Sequence, residues 1–184
     1  LVALILAFGS VSGAHFNPVI SIADRAMDGI STRDATGYLP AQVAGAVLGA
    51  MVANLMFGLP AVDVSEQARS GADLWFSEVV ATFGLVVVIF GVVRAGRATA
   101  AAFAVGGYIA AAYWFTSSTS FANPAVTIGR TLSDTFAGIA PSSAPAFIAA
   151  QCAGGALAVV FCRFVFPDVR AEDVVVPTQG ASRD

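Results

Sequence analysis

Charge is what this sequence has least of. Only 11% of its 184 residues are Asp, Glu, Lys or Arg, against roughly a quarter in an ordinary soluble domain. A water-facing surface cannot be assembled from so few charges, and the absence of a basic patch excludes nucleic acid as a partner. Histidine occurs once and cysteine twice, so no metal-binding cluster is expected. No Ser/His/Asp set and no phosphate-cradling loop appears either, so neither an enzyme nor a cofactor site is expected. Cys152 and Cys162 would lie about 15 Å apart along one helix, too far for a disulfide, and read as small packing residues. Also missing is the ten-residue apolar/polar alternation of an outer-membrane strand. The basic start and small-residue cleavage site of a secretory signal are absent too. No Met precedes Leu1, and the chain is read as truncated at its N-terminus.

What the sequence has instead is apolar length. Hydrophobic residues make up 57% of it, and the stretches 1–23, 35–62, 79–93, 98–129 and 135–162 carry no Asp, Glu, Lys or Arg. A helix crosses the hydrocarbon layer with about 20 apolar residues. The fold class is therefore an all-α, multi-pass membrane protein seated in the lipid of the cell membrane. Residues 1–9 read as the end of a spanning helix broken by the Gly/Ser-rich stretch 9–13. Full spans follow at 36–57, 72–93, 98–115 and 143–166. The loop 58–73, with Asp63, Glu66 and Asp73 against Arg69, faces outward. Arg94 and Arg97 place the short loop between the second and third full spans in the cytoplasm. Residues 1–166 form the channel-like domain, and 167–184 read as a polar cytoplasmic tail.

An internal repeat organises this length. Ser12-Gly13-Ala14-His15-Phe16-Asn17-Pro18-Val19 is echoed by Thr119-Ser120-Phe121-Ala122-Asn123-Pro124-Ala125-Val126. Downstream, Ala41-Gln42-Val43-Ala44-Gly45 is echoed by Ala150-Gln151-Cys152-Ala153-Gly154. Three full spans separate the two Asn-Pro turns, and an odd number of crossings puts them on opposite sides of the membrane. The repeats are inverted, and each short segment must re-enter rather than cross. Non-helical backbone survives at that depth only where protein or a water-filled path satisfies it, so two such breaks imply a pore. Two stripes of small residues, Ala41/Gly45/Gly49 and Ala150/Gly154/Ala158, read as helix-packing faces.

Asparagine caps helices well, and proline suits the first helical position because its missing N–H would be unpaired there. Pro18 and Pro124 thus start two half-helices. The side-chain oxygen of Asn17 or Asn123 accepts from its own helix, which leaves the NH₂ group to donate into the pathway. Both half-helix N-termini carry partial positive charge, which favours a solute oxygen and opposes cations and hydrated protons.

With these residues in place the sequence resembles the aquaporin and aquaglyceroporin (major intrinsic protein, MIP) family over all but the tail. The resemblance implies six spanning helices, of which about five are present, with two re-entrant half-helices and a homotetramer with one pore per subunit. It implies Asn17 and Asn123 as the central donors. The backbone carbonyls of Gly13, Ala14 and His15, and of Ser120, Phe121 and Ala122, would be the acceptor ladder. Glu78, the sole acid inside an otherwise apolar span, is implied to hold the second re-entrant loop, with a proton relay as the other reading. His15 at the inner mouth reads as a loop anchor or, since imidazole titrates near neutrality, a pH gate.

The outer filter departs from the family pattern. Val126 stands where an Arg is usual, Ala111 where water channels place His, and Ser120 takes the third position. A wider and less polar throat suits small neutral solutes: glycerol-like polyols, urea, and undissociated metalloid hydroxides such as arsenous acid, together with water. A strict water channel and an ion-coupled secondary transporter, which also uses broken helices, are the alternatives. Arg130 shares a helical face with Asn123. It is either a snorkelling interfacial residue or a vestibule residue, and the filter function is expected to be lost rather than displaced to it.

Overall fold

The computed structural model describes residues 1–166, so the stretch read as a cytoplasmic tail lies outside the described residues. Seven α-helices run in order: α1 (Val2–Ser12), α2 (Pro18–Ala26), α3 (Thr32–Met56), α4 (Ala72–Arg94), α5 (Ala101–Phe115), α6 (Pro124–Arg130) and α7 (Ala144–Val165). A 3-10 turn, Ala98–Ala100, leads into α5. Four segments are long and apolar enough to cross a membrane: α3, α4, Ala98–Phe115 and α7. The described residues thus hold four helices long enough to cross and one shorter apolar helix, α1.

Two boundaries differ from the sequence reading. Gly9 does not break α1; the helix continues to Ser12 and ends at Gly13, whose φ of 70° is left-handed and whose N–H bonds to the Gly9 carbonyl. Helix α3 starts at Thr32 rather than 36, because Ser31 accepts a hydrogen bond from the backbone of Asp34. That cap extends the helix through Arg33 and Asp34, charged residues that hydropathy leaves out.

Helices α4 and α7 form the most extensive pair. Gly154 makes this possible, since a side chain there would collide with the Val79 carbonyl oxygen; Ala150 and Ala158 are buried beside it. The matching stripe on α3 does not pack in this way: Ala41, Gly45 and Gly49 are exposed. Cys162 is buried but Cys152 is exposed, and both are free thiols. The core joins α2, α4 and α7 through Val19, Ile20, Leu85, Val86, Phe90 and Ala158. In lipid such packing, rather than expulsion of water, holds helices together. The outward faces are apolar, with Phe57 83%, Trp114 86% and Phe164 85% exposed, as a surface dissolved in hydrocarbon must be.

The half-helices α2 and α6 meet between these spans. Gly129 brings α6 close to α3, with the Ala46 carbonyl oxygen 2.7 Å from where a β-carbon would stand. The loop after α3 crosses the far end of α6, Asp63 donating to Leu132 and Ser65 to Thr131 through backbone N–H groups. Arg69 in that loop donates to the carbonyls of Gly138 and Phe136 at 2.7 Å each.

Candidate functional site: the paired Asn-Pro turns

Each turn is built the same way. Asn17 is extended (φ −151°) and accepts from Val19 N–H at 3.0 Å. Asn123 (φ −159°) accepts from Ala125 N–H at 3.0 Å and from Val126 N–H. Ahead of each asparagine the chain enters the left-handed region at matching offsets. Gly13, Ala14 and Phe16 have φ of 70°, 49° and 49°, and Thr119, Ser120 and Ala122 have 63°, 50° and 47°. For a residue with a side chain this conformation costs roughly 1–2 kcal/mol, so both loops must be held in place from outside. The sequence carries no sign of these angles beyond Gly13.

Several contacts do the holding. Asn17 Nδ2 donates to the Ala122 carbonyl at 2.7 Å, and Asn123 Nδ2 donates to the Phe16 carbonyl at 2.8 Å. The two loops thus strap each other at their tips. This corrects the expectation that both NH₂ groups are wholly free and that the Ala122 carbonyl belongs to an open ladder. One N–H of each amide and two carbonyls are engaged, and each amide keeps a second N–H.

Glu78 is fully buried on α4 and accepts four hydrogen bonds. They come from Ser118 Oγ (2.6 Å), Phe121 N–H (2.9 Å), Ala122 N–H (2.8 Å) and Gln151 Nε2 (2.6 Å). Four donors fill the lone-pair positions of a carboxylate, an arrangement for fixing a loop. The repeat persists in the polar partners: Gln151 Nε2 donates to Thr127, and Gln42 Nε2 donates to Ser21. Ser21 and Thr127 each stand four residues after their asparagine.

Both loops border one cavity of about 290 Å³. One wall is aliphatic, from Leu85 and Ile89 of α4 and Ala101, Val105 and Ile109 of α5. The other is the polar backbone of the loops. Gly13, Ala14, His15, Ser120, Phe121, Ala122, Val126 and Arg130 all line it with the two asparagines. Pro18 and Pro124 are buried behind them. Ala111 does not reach the cavity: it is exposed, and two residues past Ile109 puts it roughly 200° round the helix.

The ends of this cavity hold features that the sequence reading did not combine. Seven residues after Asn123, Arg130 folds back so that its guanidinium lies 4.2 Å from the centroid of the Phe121 ring, lining the cavity rather than extending to an interface. Arg69 lies 5.1 Å from the same ring. Burial lowers the pKa of the Arg69 guanidinium, against the opposing fields of Tyr113 and Glu78, yet arginine stays charged. Seven residues after Asn17, Asp24 folds back in the same manner on His15, with Oδ2 3.3 Å from Nε2. His15 Nδ1 lies 3.0 Å from Ser21 Oγ, and Tyr38 meets the imidazole edge-on at 5.7 Å. The equal offset from the two asparagines was the available signal for Asp24.

Buried polar atoms without partners concentrate on this cavity. Apart from the His15 Nε2–Asp24 Oδ2 pair at 3.3 Å, Asp24 Oδ1, Ser120 Oγ and Arg130 Nη1 make no hydrogen bond among the described residues, and all four residues line it. Such groups are rare in folded proteins.

The sequence model of the Major intrinsic protein family matches residues 1–120. The aquaglyceroporin AqpS of Rhizobium meliloti is 45% identical over 92% of this chain and 72% of its own length. Aquaporin NIP3-1 of Arabidopsis thaliana is 34% identical over 70% of this chain and 44% of its own. The probable aquaporin AqpM of Archaeoglobus fulgidus is 31% identical over 76% and 61%.

Proposed function

The chain belongs to the major intrinsic protein family of membrane channels, which are not enzymes, and from that premise we propose a passive channel for small neutral solutes. Its cargo would be glycerol-like polyols, urea and undissociated metalloid hydroxides such as arsenous acid, along with water. One observation carries the reading: an aliphatic wall faces a wall of hydrogen-bonding groups, with Val126 in place of a bulky cation at the usual filter position. A polyol has the same two sides, a carbon edge and a hydroxyl edge. The name of the relative AqpS, aquaglyceroporin, points the same way.

Arg130 supplies a donor about two turns beyond the Asn pair on α6, and its charge, with that of Arg69, opposes cations. This favours a channel over an ion-coupled transporter, as does Glu78, whose acceptor sites are occupied by loop donors. The subunits act as a homotetramer in the cell membrane, each with its own path.

Stopped-flow light scattering on liposomes holding the full-length protein tests the reading in water, glycerol and arsenite gradients. Passive, non-accumulating flux of all three is the expected result. Water flux alone would make it a strict water channel, and uphill accumulation a transporter. Arg130→Ala is expected to change the glycerol-to-water ratio; an unchanged ratio rules out its vestibule role.

A further inference from the structure

At the inner end of the cavity, Asp24 is 1% exposed; its Oδ2 lies 3.3 Å from His15 Nε2, and its Oδ1 accepts no hydrogen bond among the described residues. The protein accepts this deliberately in its local design: a side chain at Gly29 would collide with the carboxylate, so the space Asp24 occupies is kept open by a glycine. The imidazole beside it is oriented. Gln42 donates to Ser21 Oγ at 2.9 Å, and Ser21 Oγ lies 3.0 Å from His15 Nδ1. Ser21 thus fixes the imidazole with its Nε2 edge toward the carboxylate, 3.3 Å from Asp24 Oδ2. His15 lies against Oδ2, while Oδ1 is left as an acceptor with no donor of the protein among the described residues.

The outer end is the electrical opposite. Arg130 occupies the equivalent place in the inverted repeat and leaves Nη1 unpaired. The two poles lie seven residues down their half-helices from the Asn pair, roughly 10 Å on either side at 1.5 Å per residue. We propose that Asp24, with His15, is a solute-binding station at the inner mouth, selecting neutral solutes that carry at least two O–H donors, such as vicinal diols and metalloid hydroxides. It rests on the neutral-solute reading above and adds to it where selection occurs. A diol reaching the inner mouth has lost most of its water and needs acceptors for its hydroxyl protons, which the outer guanidinium cannot provide. A cation would suit the carboxylate too, but it must first pass Arg130 and two positive half-helix ends.

The test compares wild type, Asp24→Asn and Ser21→Ala as full-length proteins in liposomes, measuring glycerol, arsenous acid and water permeability. Asp24→Asn keeps the shape and removes one acceptor oxygen and the charge. Its ratio of glycerol to water permeability, and of arsenous acid to water, is expected to fall about fivefold, with water flux within twofold of wild type. Ser21→Ala, which removes the contact that orients the imidazole ring, should lower the same ratios about twofold. Unchanged ratios in both variants overturn the station. Equal loss of water and solute flux in Asp24→Asn marks a structural role for the residue, and the Ser21→Ala ratios then decide: unchanged, they overturn the station. A potassium conductance in wild type that vanishes in Asp24→Asn overturns it in favour of a cation site. If wild type conducts water but no polyol or hydroxide, the neutral-solute reading fails first and takes the station with it.

Discussion

At the scale of single residues, the site is a set of small residues whose environments differ more than their types suggest. The Val126 side chain carries no polar group, though its backbone N–H donates to Asn123; its importance is the guanidinium it does not carry. Val126→Arg is expected to lower glycerol permeability about tenfold, some 1.4 kcal/mol of barrier, with a smaller effect on water, measured by vesicle swelling. Glu78 is the opposite case, since its value lies in what it does carry. Glu78→Gln removes a charge that four donors address, and puts an NH₂ group against some of them. Stability is expected to drop by about 3 kcal/mol, read as the thermal unfolding of the detergent-solubilised protein. The identities of Asn17, Asn123 and Glu78 were legible in sequence because polar residues stand out in apolar surroundings. The placement of Ala111 was not, since an alanine among alanines gives no phase for a helix.

At the scale of elements, the two halves of the chain are built alike and inverted. The left-handed residues recur at fixed offsets from their asparagines, the cross-strapping amides recur in both loops, and the Gln42–Ser21 and Gln151–Thr127 bonds recur with spacings of 21 and 24 residues. The long spans were readable as runs of apolar residues, and the half-helices from their Asn-Pro starts. Their true ends were less so: α1 passes through Gly9 and α3 begins in charged sequence, because hydrogen bonding rather than hydropathy sets where a helix stops. The α4–α7 contact rests on close backbone approach at Gly154. Gly154→Val forces these helices apart, and a loss of about 3 kcal/mol is expected from overpacking. Gly107→Val, at a position with nothing within 4 Å of its β-carbon, should lose much less. Thermal unfolding of both variants in detergent checks the contrast.

At the scale of the whole molecule, two re-entrant arms meet tip to tip among spanning helices whose outer faces suit lipid. By the positive-inside rule, Arg94 and Arg97 predict that the loop between α4 and α5 faces the cytoplasm. A cysteine introduced at Arg97 in a Cys152→Ser/Cys162→Ser background should resist an impermeant maleimide applied to intact cells, whereas one at Glu66 should react; the reverse labelling would invert the topology. The sequence by itself determined the class, the repeat, the inversion and the two turns, because each of these is a pattern in the order of residues along the chain. Only the tertiary structure decided that the asparagines spend one proton each on the opposite loop. The same holds for Arg130 and Asp24, which fold back to place opposite charges at the two ends of one cavity. Those are contacts between residues more than a hundred positions apart, or side chains choosing one of several directions, and neither choice is made until the helices have packed.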